Sequence, residues 1–227
     1  EISPKTIWHV SKDYSNPGTD HFVREVGWRE FSYHLMANFP FLANKPLREN
    51  FEQFPWRDSD EDYEAWTKGM TGYPIVDAGM RELYATGWMH NRVRMIVSSF
   101  LVKHLLIDWR KGERWFFDTL LDGDFCSNNA GWQWVSGGGA DAAPYYRIFN
   151  PILQGKKFDT GGRYVRKWVP EIADIPNANL HAPWELSEGQ LQLFGVKLGE
   201  TYPEPIVNHE FARKRALESF DQITAKK

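Results

Sequence analysis

One cysteine, Cys126, stands in 227 residues. That excludes an internal disulfide framework and a cysteine-rich zinc site, and it fits a reducing compartment, the cytoplasm. No run approaches the length of apolar chain that crosses a bilayer, and no signal-peptide pattern opens the sequence, so no membrane partner is expected. The seven histidines (His9, His21, His34, His90, His104, His181, His209) show neither HxxxH nor HExxH spacing, which leaves a metal site unsupported. GxSxG is missing too, and Cys126 reads as a small packed residue rather than a nucleophile. Gly137-Gly-Gly139 follows no strand and lacks the GxGxxG spacing, so it is a hinge or close-approach loop, not a dinucleotide fingerprint. Strand patterns are scarce, and neither internal repeats nor low-complexity tracts occur.

Aromatic side chains are what the chain has in excess: 15% of residues, with 11 Trp. Indoles are expensive to order unless they fill a core, stack on something or carry electrons. The net charge of -3 announces no nucleic acid, so any DNA contact must come from a local basic face. The 3.6-residue period recurs and predicts an all-α fold. Helices are expected over 20–36, with Asp20 as N-cap; from Ile75 to a stop at Gly87; over 89–109, the strongest apolar stripe; over 112–121; over 158–169, closed by Pro170; and over 209–224. Residues 39–62 hold Pro40, Pro46 and Pro55 and read as a long irregular connection carrying Trp56; 177–205 reads as proline-rich connection with a short amphipathic piece.

The stretch Asp122-Gly-Asp-Phe-Cys-Ser-Asn-Asn-Ala-Gly-Trp-Gln-Trp134 mixes carboxylates, adjacent amides and two indoles. A solvent loop has no use for Trp132 and Trp134, and a plain core has none for Asp122, Asp124, Asn128 and Asn129. The mixture fits a pocket for a planar, polar-edged ligand. Glu25 with Trp28 reads two ways: a surface carboxylate one turn before a buried indole, or a carboxylate on a base edge in an indole-walled cavity, with Trp134 as the opposite wall. Arg94 and Asp122 are either a structural ion pair or a charge pair beside a redox ring. Arg29, Arg92, Arg147, Lys156, Lys157 and Arg163 are either scattered solvated charge or a phosphate-binding face.

Five ordered motifs, Trp28-Arg-Glu-Phe31, Thr71-Gly-Tyr-Pro-Ile-Val-Asp77, Thr86-Gly-Trp-Met-His-Asn-Arg-Val-Arg-Met95, the 122–134 stretch and Asp141-Ala-Ala-Pro-Tyr-Tyr-Arg-Ile-Phe-Asn-Pro151, resemble the photolyase and cryptochrome family over nearly the whole chain. The likeness is strongest to the class I photolyases that repair cyclobutane pyrimidine dimers. It implies a multi-helix domain, residues 1–227, that holds FAD and receives a flipped dimer from UV-damaged DNA, acting as a monomer, with nucleoid association if the source is bacterial. By that resemblance Arg94, Asp122, Gly123, Asp124 and Asn128 bind the cofactor, with Asn128 facing flavin N5, and Asn91 lies between cofactor and substrate. Glu25, Trp28, Ser32, Met95 and Trp134 line the dimer pocket, Arg29, Arg92 and Arg147 grip the DNA backbone, and Glu25, Asn91 and Asn128 are the catalytic set. Trp132, Trp109 and Trp56 match the family's electron chain, although Trp109 also reads as ordinary core. The implied reaction is light-driven electron transfer from reduced FAD that splits the dimer; the competing implication is a cryptochrome-type photoreceptor without repair.

The likeness also implies that the chain starts after a phosphate-binding Thr-Ser-x-Leu-Ser segment and after an N-terminal α/β antenna domain whose pigment it does not identify. The sequence opens on Glu1-Ile-Ser-Pro, without an initiator methionine. The expectation is that these 227 residues bind FAD weakly and do not repair DNA by themselves.

Overall fold

A computed structural model describes residues 2–14, 16–141 and 146–225. Ala142 to Tyr145, inside the fifth motif, lie outside the described residues. The described residues form twelve α-helices and no strand, as the period predicts. Helix α1 spans Pro4–Ser11 and α2 Pro17–Asn38; α2 begins earlier than expected, because Asn16 accepts from Thr19 N and Pro17 takes the first turn, where a missing N–H costs nothing. Two 3₁₀ turns, Pro40–Ala43 and Glu49–Gln53, break the expected irregular stretch, and α3, Asp60–Thr67, starts before its end.

Helix α4, Pro74–Thr86, is the central element. Pro74 opens it, Gly87 closes it with a left-handed φ of 68°, and nine of its residues are buried. It lies close against α5, Asn91–Ser99: a Cβ on Gly79 would stand 2.5 Å from a methyl of Val93. Here the single helix expected over 89–109 fails. After Ser99 the chain widens into a π-turn, Phe100–His104, in which Leu105 N donates to Phe100 O, and a new helix, α6 (Trp109–Thr119), starts on Asp108 as its N-cap. The period cannot report this, because every residue from 96 to 107 is buried, the polar Ser98, Ser99, Lys103 and His104 included, so no exposed face marks the change of turn. Trp109 therefore opens a helix instead of ending one.

Helix α7, Phe125–Ser136, packs along α6 and against α2. The helix predicted over 158–169 is shorter: Phe158 ends a separate helix, α8 (Pro151–Phe158), and α9, Arg163–Trp168, starts only after Gly162, whose φ of 65° an L side chain adopts only at a cost. Short helices α10, Asn177–Leu180, and α11, Glu188–Leu193, punctuate the proline-rich connection, and α12, His209–Thr224, closes the fold.

Two buried polar links join distant parts. Asp77 accepts from Thr71 N, Thr71 Oγ1, Gly72 N and Tyr202 Oη, which ties the start of α4 to the last connection. His104 and His209 meet through ring nitrogens 2.8 Å apart, joining the π-turn to α12.

The α6–α7 contact is the tightest. A Cβ on Gly112 would lie 2.1 Å from the Trp132 ring and 2.6 Å from Leu101. Alanine gains about 1 kcal/mol of helix propensity over glycine. Overpacking against two buried side chains costs about 1–3 kcal/mol or more and decides the sign. Gly112→Ala should therefore lower the urea midpoint and shift the tryptophan emission; a variant as stable as the parent would contradict this packing.

Burial pulls His104 down from its ordinary value to about 3, and His209 is lowered as well. The folded chain thus keeps His104 neutral where the unfolded chain takes up a proton. The stability it confers is whole above about pH 6.5 and is lost as pH falls toward 3, with a slope of at most about 1.4 kcal/mol per pH unit for one proton. His104→Phe should flatten the fall in unfolding free energy between pH 6.5 and 4; an unchanged slope would show the ring to be charged in the fold.

Candidate functional site

Helices α2, α5 and α7, with Phe116 of α6, wall a cavity of about 540 Å³. From α2 come Glu25, Trp28, Arg29 and Ser32; from α5, Asn91, Arg94 and Met95; from the 122–134 stretch, Asp122, Gly123, Asp124, Asn128, Trp132 and Trp134. Thirteen residues singled out from sequence thus meet in one place. Arg92, Arg147, Trp56 and Trp109 stand outside its lining.

Helix α7 sorts the stretch by periodicity. Asn129, Trp132, Gln133 and Ser136, at i, i+3, i+4 and i+7, form its buried face, while Ser127, Asn128, Gly131 and Trp134 lie on the more open one. Asn129 Nδ2 donates to Leu42 O and to Glu113 Oε1; Gln133 Nε2 donates to Leu42 O, Lys45 O and Asn129 Oδ1, and Gln133 Oε1 accepts from Leu47 N. Asn129 is therefore scaffold, clamping the first 3₁₀ turn to α7. Asn128 differs: its Nδ2 donates 2.8 Å to Glu113 O, which fixes the amide's orientation and leaves its carbonyl oxygen as the end available to a ligand.

The two carboxylates divide as well. Asp122 accepts both of its bonds from Arg94 Nη2, at 3.0 and 2.9 Å, and Arg94 Nε is held by Met89 O at 2.7 Å. The ion pair is there, at the rim of the cavity. Asp124 caps α7 through Ser127 N and accepts from Tyr33 Oη at 2.5 Å. Burial alone pushes Asp124 up, but the bonds from Tyr33 and Ser127 outweigh it and hold the carboxyl below its ordinary range. Tyr33, whose hydroxyl is raised by that same bond, carries the Arg29 guanidinium over its ring at 5.1 Å. Sequence reading missed Tyr33: a pair 91 positions apart leaves no local pattern.

On α2, Ser32 Oγ donates back to Trp28 O, Phe31 meets the Trp28 ring edge-on at 5.8 Å, and Glu25 pairs with His21 at 3.5 Å. Trp28 is 51% exposed, so the buried-indole reading fails and an open apolar face remains. At the start of α5, Arg92 rests on the Phe158 ring at 4.6 Å, and Lys157 lies over the same exposed ring at 5.3 Å. Two of the six basic residues are thereby gathered at one point.

Of the three tryptophans outside periodic reading, Trp132 and Trp109 are buried in the main core and Trp56 is half-buried on its edge, against Phe54 at 4.3 Å. The ring neighbours of Trp132 are Phe116 at 5.0 Å and Trp66 at 6.2 Å. Trp66 was not singled out from sequence; it is buried with its indole N–H on Val97 O. The Trp132 Nε1, by contrast, is buried without a partner at the cavity wall. An orphan donor, an acceptor on Asn128, a fixed ion pair and apolar walls suit a planar group with donors and acceptors on its edges. Among the described residues no cluster of His, Cys, Asp or Glu could hold a metal ion, and no helix is long and apolar enough to cross a membrane.

Comparison with known proteins agrees with the motifs. The family model "FAD binding domain of DNA photolyase" matches residues 22–222. The deoxyribodipyrimidine photo-lyase of Agrobacterium fabrum is 56% identical over 98% of this chain, which spans 47% of that protein's length. Cryptochrome-1 of Arabidopsis thaliana is 41% identical over 98% of the chain and 34% of its own length. Among solved structures, a bacterial class III photolyase from Agrobacterium tumefaciens superposes with a TM-score of 0.93 at 54% identity, over all of this chain and 48% of that one. Its description is class III, where the motifs alone suggested class I. By a match that takes in most of its length, the chain belongs to the family of FAD-binding domains of the DNA photolyases.

Proposed function

We propose that this chain is the flavin- and DNA-binding part of a deoxyribodipyrimidine photolyase, which uses light to split cyclobutane pyrimidine dimers in UV-damaged DNA. The observation that carries the reading is the convergence on one cavity of thirteen residues singled out from the sequence, eleven of them within its motifs. FAD, when bound, supplies the excited electron donor; the protein binds, orients and tunes.

Each wall then has a task. Arg94, anchored on Met89 O, would hold Asp122 toward the cofactor, and Asn128 would offer its free carbonyl to a donor on it. Trp28 and Trp134 provide apolar faces for an extruded dimer, a lesion that is inexpensive to flip because it already weakens stacking and pairing. Glu25 accepts a hydrogen bond from a base edge, and Asn91 bridges the two ligands. Arg29, Arg92 and Arg147 meet the backbone phosphates, Arg92 with Lys157 from their shared seat on Phe158. Trp132, at the wall, passes electrons inward from Trp109 and Trp56. Whether the 227 residues alone retain FAD is a separate proposal: α2, one wall of the cavity, has a single buried side chain, Ser32, which argues for weak retention. Titration of FAD into the isolated chain tests it, and stoichiometric binding would refute it.

The complete gene product, reduced and illuminated with blue light, should restore thymine monomers in UV-irradiated oligothymidylate. Trp28→Ala should weaken damaged-DNA binding by about 1–3 kcal/mol, the worth of one aromatic–base stack. Full repair by the Glu25→Ala, Trp28→Ala double variant would sink the pocket assignment, and flavin binding with no repair at all would favour the photoreceptor reading.

Asn128→Asp replaces the donor to Glu113 O with a carboxylate oxygen and sets a negative charge beside the ring. The midpoint potential of bound FAD should fall, because added negative charge opposes electron uptake. Spectroelectrochemistry reads this directly, and an unchanged or raised potential would remove Asn128 from contact with the ring.

A further inference from the structure

Lys103 is 4% exposed, on the π-turn, between buried Val102 and His104. Its Nζ donates to the carbonyl oxygen of Arg147, and the ammonium stands 4.5 Å over the Tyr146 ring. Among the described residues no carboxylate lies within ion-pair distance of it. Burial pushes this ammonium down to about 7, which measures how costly the position is. A buried lysine without a counter-ion is a poor way to fill a core, since an aliphatic side chain of similar volume does so without desolvation. What the lysine adds is reach: a long stem with donors at its tip, able to hold a backbone carbonyl that no helix or strand satisfies.

The segment it holds, 146–150, has no regular secondary structure. Two further tethers act on it: Tyr146 stacks on Phe220 of α12, centroids 4.6 Å apart and planes 5° apart, and Phe149 N donates to Ser99 Oγ at 3.4 Å. Lys103 and Ser99 both belong to the end of α5 and its π-turn, and the other end of α5 carries Asn91 and Arg92. One rigid rod thus connects the cavity mouth to the loop that bears Arg147.

We propose that Lys103 is a positioning residue for DNA binding, fixing the Arg147 backbone so that its guanidinium meets a phosphate in register with Arg92. The inference rests on the reading of Arg147 as a phosphate ligand, and the test separates the two. In the complete, FAD-loaded gene product, affinity for a UV-irradiated duplex is measured over a salt series for Arg147→Ala, Lys103→Met and the double variant. Arg147→Ala should weaken binding about tenfold and reduce the salt slope by about one, as the loss of one phosphate contact does. Lys103→Met should reproduce most of both effects with flavin absorbance unchanged, and the double variant should be little worse than Arg147→Ala alone. Lys103→Leu, which likewise has no N–H donor, carries the same cycle if the methionine variant does not fold. Wild-type affinity in Arg147→Ala overturns the phosphate reading and this inference with it. A weakened Arg147→Ala beside an unaffected lysine variant, or losses that multiply in the double, overturns the role of Lys103 alone.

Discussion

The site depends on how closely α7 lies on α6, and that distance is set by the Trp132 ring over the bare Cα of Gly112. Because the indole faces inward there, helical geometry turns Asn128, Gly131 and Trp134 away from the core and toward the cavity. Asn129 and Gln133 then fall on the buried side, where a plain core would strand them, and they are satisfied by the carbonyls of Leu42 and Lys45 and by the Glu113 carboxylate. Burial raises that carboxyl, so the network is protected from solvent as well as complete. One close approach therefore fixes both the scaffold and the face that meets a ligand.

The electrostatics of the cavity follow from the same geometry. The first turns of α5 and α7 both contribute to the lining, and a helix N-terminus carries partial positive charge from its unpaired N–H groups. Asp124 neutralises part of this at α7 through Ser127 N, and Asp122 is bound to Arg94, so neither carboxylate confronts a ligand as a bare charge. What is left is a polar floor, its carboxylates already engaged, between apolar walls. Such a floor suits a planar ring with donors and acceptors on its edges, and the overall charge of -3 says nothing of it.

Helices were legible wherever an amphipathic stripe met a clear stop, as at Pro74 and Gly87. They were misread where nothing in the pattern marks a change of geometry. The run from Ile96 to Ile107 hides a π-turn because every residue in it is buried, and the basic-aromatic run after Phe158 hides Gly162 because a left-handed residue breaks a helix without altering the polarity around it. At the site, the motifs brought forward the residues that face a ligand. They could not reveal what holds them: Tyr33 on Asp124, Gln133 on Leu47, Lys103 on Arg147. Those partners are 91, 86 and 44 positions apart, and only tertiary structure brings them together.

Helix α2 shows the limit of what the described residues stabilise by themselves. It is 22 residues long, about 33 Å at 1.5 Å per residue, yet only Ser32 is buried, and Phe22, Trp28, Phe31 and Tyr33 are exposed. A helix with so little packing gains its stability from whatever covers its apolar side. Glu25, Trp28, Arg29 and Ser32 lie along that helix and line the cavity, so a ligand seated there covers the same surface that α2 leaves open. A ligand seated there adds burial to a helix that the described residues pack lightly. By contrast α5, whose Asn91, Arg94 and Met95 form the facing wall, is rooted in the core through Val93, Ile96 and Val97. The cavity thus has one wall seated in the core and one that packs lightly.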